Sequence, residues 1–499
     1  MRHPLKSPFL ILALALALAP ACKPKPKPEP AVKPAVKAEK PLNKSVVKVF
    51  TTVQKVDFYE PWKPGTQAQQ EGCGVILPGG HILTTSHITN KSNYIEVQKF
   101  GQTKRYVAKV EQVGYDLDLS LLSIEDQEFY KDTEPVEFGD LPSPGDKVTV
   151  QGGDELSVKQ DTISGLDMFW STEAGRFLPA LITYTDVDNK NNGCPVFLNG
   201  KFIGLPFEVV HSPEKTASLL PVNVVQRFLE GVKDGKTYDG FPDLGVEVQT
   251  LENPTLQSYE GLPADKTGVV VTKVLYQGSA EGLLKEGDIL TAIDGHPIDN
   301  EGDINLVKNQ RIDYSYLITF YQMGQSVSLD IFREGKAQSL MVPLKPLPRL
   351  VSYRSDDTHP TYYLYAGFVF VPLTTSYFQS KAAYKPSFKK LMQQGLPSPQ
   401  RQEVVLISHV LPHDINVGYD KQFNLIVDKV NGMPITRMKD LITALGKPAG
   451  RYQVIEIDEH AWFGSKIVFE AAKAKKATAE IMAELQIPED RSKDLGKGN

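Results

Sequence analysis

Between Leu181 and Leu205 the chain reads LITYTDVDNKNNGCPVFLNGKFIGL, and no other stretch restricts the fold as much. Two apolar runs of strand length flank a polar loop of Asp, Asn and Gly, residue types that favour turns over strands. The second run continues through Asn199-Gly200 into Lys201-Phe202-Ile203-Gly204-Leu205. The order is strand, tight loop, strand.

At 499 residues the chain has room for about three domains. Its 41 % hydrophobic and 23 % charged residues are ordinary for globular protein. A net charge of −5, with no long basic run on a folded segment, gives no reason to expect nucleic acid as a partner. The beginning of the chain is different. Arg2, His3 and Lys6 precede an apolar run from Phe9 to Ala19, which ends in Ala19-Pro20-Ala21-Cys22. This pattern reads as a secretory signal peptide over residues 1–22, too short to span a bilayer as a mature helix. Lys23 to Pro41 repeats proline and lysine, which favours an extended polyproline-type tether over residues 23–43. Export would place Cys73 and Cys194 in an oxidising compartment.

Residues 44–235 show short strands punctuated by Gly, Pro, Asn and Asp turns, the pattern of an all-β barrel domain. Val46 to Phe50 is the first strand. Gly72 to Leu77, the turn Pro78-Gly79-Gly80, and Ile82 to Thr85 form a hairpin that leads to His87, with His81 at its solvent-facing turn. Val113 to Leu122 carries Asp116 and Asp118 in a strand-turn-strand setting, and Val224 to Val232 reads as a closing amphipathic helix. From Tyr238 the pattern changes. Leu244-Gly245-Val246-Glu247-Val248, Gly268 to Val271, Leu284 to Leu290 and Ile293-Asp294-Gly295 follow one another. A divergent second copy runs from about 350 to 469, with Tyr365 to Phe370, Val404 to Val410 and Leu425 to Gly432 in the matching places. Residues 471–499 read as a charged, helix-prone tail of unknown role. No C-x-x-C or H-E-x-x-H spacing occurs, so neither metal nor cofactor is expected.

These segments together resemble the HtrA/Deg family of trypsin-like serine proteases, in its plant-type branch with tandem PDZ domains. Asp186, Asn191-Asn192-Gly193, Pro195, Asn199, Gly200 and Ile203-Gly204 have counterparts in that family's nucleophile loop. The hairpin ending at His87 matches the strands that carry the catalytic histidine, and Asp118 matches the orienting carboxylate; Asp116 is expected to be a turn residue and Ser164 a structural one. The string Leu284-Lys285-Glu286-Gly287-Asp288-Ile289-Leu290 before Ile293-Asp294-Gly295 is similar to the PDZ signature. The resemblance covers roughly residues 43–469. It implies a mainly β fold: a trypsin-like double β-barrel over 44–235, then PDZ domains over 236–348 and 349–470. It also implies trimer-based homo-oligomers and peptides or unfolded proteins as partners. Such domains add a peptide as an edge strand and hold its terminal carboxylate in a backbone nest, here Leu244-Gly245-Val246.

The centre of the site departs from the family. Acyl transfer in this fold needs a nucleophile, a base, an orienting acid and two N–H donors for the oxyanion. Counted back from Pro195, Asn192 stands at the serine position, Cys194 replaces the second following glycine, and the loop is about two residues short. A carboxamide yields no attacking anion, and the loss of a nucleophile typically costs on the order of a millionfold in rate. Lys190 stands where the family places glycine, which is expected to leave the oxyanion hole misformed. The expected function is a proteolytically inactive, peptide-binding pseudoprotease of envelope protein quality control; the alternative is an active endopeptidase, with Cys194 as a nucleophile beside His87. In this fold Cys73 and Cys194 are also candidates for a disulfide. Cys22, directly after a small residue, resembles a bacterial lipobox and implies lipidation, and Lys23 favours the outer membrane. Ala19-x-Ala21 would equally suit an ordinary signal peptidase and a soluble periplasmic protein.

Overall fold

The computed structural model describes residues 44–152, 157–183, 193–210, 216–306, 310–352, 360–380, 385–448, 450–461 and 464–496. The leader, the tether, Cys22, Lys190 and Asn192 lie outside the described residues. Two closed six-stranded barrels form the first part of the chain. The first holds β1 (Val46–Gln54), β2 (Gln67–Ile76), β3 (Ile82–Thr85), β4 (Ser92–Lys99), β5 (Arg105–Gly114) and β6 (Leu119–Ile124), joined in the order β1-β2-β3-β6-β5-β4. The second holds β7 (Lys147–Gly152), β8 (Ser157–Ser171), β9 (Arg176–Thr183), β10 (Val196–Leu198), β11 (Lys201–Val210) and β12 (Thr216–Pro221), in the order β10-β11-β12-β9-β8-β7.

Alternation drives this closure. In β1 the side chains of Val47, Val49, Thr51 and Val53 are buried while those between them are half-buried, so one face of the strand turns inward. A cluster including Val75, Leu83, Leu119, Phe197, Phe202 and Leu220 joins residues of both barrels. The helix Val222–Gly231 adds Val224, Val225 and Phe228 to that cluster, the inward residues of an amphipathic helix. Ser164 donates its hydroxyl to the Ile182 carbonyl at 3.0 Å, between β8 and β9.

The first PDZ sheet runs Val246–Thr250, Val269–Val274, Ile289–Ile293, Ser326–Arg333, Lys336–Pro343. Its Gly-Asp turn is fastened by charge. Asp288, 1 % exposed, accepts from Arg333 Nε and Nη2, each at 2.6 Å, and from the Lys285 N–H at 2.7 Å. Removing Asp288 takes the acceptor from the half-buried Arg333 guanidinium and from the Lys285 N–H. Asp288→Ala is therefore expected to cost about 1.5–3 kcal/mol. A fall in the denaturant midpoint checks it; an unchanged midpoint would contradict the role given to the pair.

The second PDZ sheet begins one strand earlier, with Tyr363–Tyr365 paired to Phe368–Pro372 and then Val405–Val410, Leu425–Val430, Tyr452–Ala461 and Gly464–Glu470. Two sequence expectations change here. The stretch Tyr365 to Phe370 was expected to be a binding-loop strand, but Ala366 and Gly367, at φ 52° and 84°, form a hairpin turn. The strand Tyr363–Tyr365 then covers the edge that a peptide would use. The second change is the tail at 471–499. Its helix, Ala471–Glu484, buries Ala474, Ala477, Thr478 and Ile481, a stripe at helical spacing hidden among lysines. Thr478 Oγ1 accepts from the Ala366 N–H at 2.8 Å, and the Leu364 N–H donates to the Asp490 carbonyl at 2.7 Å. Residues 471–494 thus belong to the second PDZ domain. Among the described residues, no helix is long and apolar enough to cross a membrane.

Candidate active site

The strand β3 ends at Thr85 and passes into the single helical turn Ser86–Thr89, which carries His87 at the rim of the first barrel. Opposite, the turn Tyr115–Leu117 delivers Asp118 in a left-handed conformation, φ 55°, immediately before β6. Asp118 is 1 % exposed, and its carboxylate is held from three directions. Oδ1 accepts from Ser86 Oγ and from the His87 N–H, both at 2.8 Å; Oδ2 lies 2.7 Å from His87 Nδ1. With Nδ1–H donated to the carboxylate, the ring orientation is set and Nε2 is the remaining proton acceptor. The contact has the geometry that a base and its orienting acid need for acyl transfer.

Gly193, with φ 70°, leads into Cys194. Cys194 is fully buried and its sulfur is bonded to that of Cys73, their Cα atoms 4.7 Å apart. A bridged sulfur offers no thiolate. The bridge joins β2 of the first barrel to the residue two before β10 of the second, and Gly152 lies flat against it: a Cβ there would stand 2.2 Å from Cys194 Sγ. That close approach leaves no space for a side chain at Gly152, the last residue of β7.

Above the dyad lies a cavity of about 30 Å³, lined by His87, Asn90 and Asp118 from the barrel and by Thr375, Ser376 and Gln379 from the second PDZ domain. That volume corresponds to about two water molecules. Thr375 Oγ1 is buried without a protein partner there. Contacts from the β1–β2 connection hold the domain in this place. Phe58 meets Tyr377 edge-on with ring centroids 5.0 Å apart, and Trp62 meets Tyr362 at 5.7 Å.

Sequence reasoning brought His87, Asp118, Cys73 and Cys194 to one place but missed the cap from Thr375 and Ser376, which only tertiary packing delivers. It also read Asp116 as a turn residue. Asp116 does sit in the turn, yet its Oδ2 accepts the Phe241 N–H at 2.7 Å and lies 3.8 Å from Arg176 Nη1. Arg176, 5 % exposed, further donates to the carbonyls of Phe241 and Pro242 at 3.1 and 3.2 Å, tying the barrel to the first PDZ domain. An arginine opening the apolar strand RFLPALIT was the available signal. At the peptide nest, the Gly245 N–H already donates to Asp243 Oδ1 at 2.8 Å. Asp299, Glu301 and Asp303 lie close enough to share a cation, but the Arg311 guanidinium pairs with all three.

Comparison with known proteins agrees with this architecture. Residues 72–205 match a trypsin-like peptidase domain, and 242–344 and 351–494 each match a PDZ domain. Among solved structures, the HtrA-type protease AlgW with decapeptide is similar at 19 % identity, covering 61 % of this chain and 95 % of that one with a TM-score of 0.44. The Arabidopsis thaliana proteins "Putative protease Do-like 3, mitochondrial" and "Putative protease Do-like 13" are each 30 % identical to this chain. The first match covers 90 % of this chain and 80 % of the relative, the second 92 % and 90 %. "Protease Do-like 2, chloroplastic", from the same plant, is 31 % identical, over 90 % of this chain and 75 % of its own length. With identity at this level sustained along nearly the whole chain, the protein belongs to the Deg/HtrA family of Do-like proteases, a trypsin-like peptidase domain followed by two PDZ domains.

Proposed function

We propose that this chain is a proteolytically silent member of its family that binds extended segments of unfolded proteins through its first PDZ domain. The observation that carries the reading is the fate of the two possible nucleophiles. Asn192 stands at the serine position in the sequence, and the sulfur of Cys194 is committed to Cys73. The base and acid remain, so the fold of the site persists without its attacking group. Binding is supported by the strand Val246–Thr250, whose outer edge no described strand pairs with.

An active endopeptidase is the second reading, and the 2.7 Å contact between His87 and Asp118 favours it. Incubation with casein separates the two: fragments that disappear in His87→Ala would establish the protease and remove the silent reading.

The same proposal places the protein in a bacterial cell envelope. The apolar leader before Cys22 and the proline-lysine tether after it support export with a lipid anchor on the outer membrane. In bacteria fed labelled palmitate, the chain is expected to take up label, and Cys22→Ser to take up none. Label-free wild-type chain in the soluble fraction would count against the anchor.

A further inference from the structure

We infer that the first PDZ domain takes internal segments bearing a basic side chain and turns away free C-terminal carboxylates; the inference rests on the peptide-binding reading above. The nest that would hold a terminal carboxylate is already used by one from this chain. Asp243 Oδ1 accepts the N–H of Gly245, the middle residue of Leu244-Gly245-Val246. The other oxygen, Oδ2, is held by Arg176 Nη2 at 3.2 Å, from a guanidinium that the barrel buries. The loop is fixed behind as well. The Leu244 and Gly245 carbonyls accept from the N–H groups of Ala280 and Leu275 at 3.0 and 2.9 Å.

The surroundings of the nest carry the wrong charge for a carboxylate. Asp167, exposed on β8, and Asp313, which caps the following helical turn by accepting the Ser315 N–H, stand in the same electrostatic neighbourhood as Asp243. Burial first, and then the charges of Asp167 and Asp243, push the Asp313 carboxyl above the usual range. Asp116 adds a fourth acid against Arg176. The cations here are Arg176, already shared between Asp116 and Asp243, Arg227, which lies with Arg176 over the Phe241 ring, and Lys345, whose Nζ turns to the Gly278 carbonyl at 3.5 Å. Four carboxylates against these three cations leave the neighbourhood of Asp243 net acidic. An incoming carboxylate meets like charge and an occupied donor, whereas the edge of Val246–Thr250, with which no described strand pairs, offers its backbone to a strand without an end.

The test uses the intact chain and fluorescein-labelled octapeptides of alternating valine and lysine, prepared as the free acid and as the C-terminal amide. Anisotropy at low ionic strength is expected to show the amide binding at least about tenfold tighter, with Asp167→Asn/Asp243→Asn closing most of that gap. Asparagine keeps the acceptor for the Gly245 N–H, so the double variant retains the turn. Equal or tighter binding of the acid would overturn the selectivity while leaving peptide binding in place. Binding of neither peptide would remove the peptide-binding reading, and the selectivity with it.

Discussion

Offered unfolded casein, the chain is expected to release no fragments, with turnover about a millionfold below that of a serine-bearing relative. On the proposed reading His87 is the base, and Asp118 fixes its ring from a buried position. A base alone accelerates nothing without a group that can lose its proton and attack. Asn192 has no such group, and Cys194 has spent its sulfur on Cys73. The family's rate depends on these parts acting as one unit, so the survival of two does not preserve a share of it. Gel assays over hours, with His87→Ala as the control, measure this. Cleavage in the wild type alone would contradict it.

The second large effect concerns the bridge. Replacing Cys73 and Cys194 together by alanine is expected to destabilise the double barrel by about 2–5 kcal/mol, towards the upper end. The two residues are 121 positions apart, and a cross-link closing so long a loop removes more freedom from the unfolded chain than a short one. It also fastens one barrel to the other, across an interface that otherwise depends on apolar packing around Phe197 and Phe202. Gly152, Cys73 and Cys194 are packed against one another, so the alanine pair leaves space behind as well. Urea unfolding followed by tryptophan fluorescence reads the loss as a lower midpoint in the variant. A midpoint that does not move would show that the bridge does not hold the barrels together.

How much of this was legible beforehand varies with the range of the interaction. The hairpin to His87 and the strand pattern around Asp118 follow from local alternation and turn residues, and the two side chains meet at 2.7 Å. Leu284 to Gly295 was legible for the same reason: a glycine turn, a buried acid and a strand must meet within a few residues. The tail after 470 was misjudged because its buried stripe is made largely of Ala474, Ala477 and Thr478, which carry little hydropathy, while its lysines and acids give it a charged character. The turn at Ala366-Gly367 was misjudged because one glycine serves a hairpin and a binding loop equally well. Nothing near Thr375 in the sequence points to His87. Their meeting depends on Phe58 and Trp62 docking the second PDZ domain on the barrel, a long-range event that no periodicity reports.

The most direct test of the silent-protease account is peptide mapping, without reduction, after exposure of the native chain to a fluorophosphonate and to a thiol-alkylating reagent. The account predicts that no peptide from residues 184–195 carries either label and that the Cys73 and Cys194 peptides remain joined. An alkyl group on Cys194 that is lost in His87→Ala, or a phosphonate anywhere in the nucleophile loop, would contradict it.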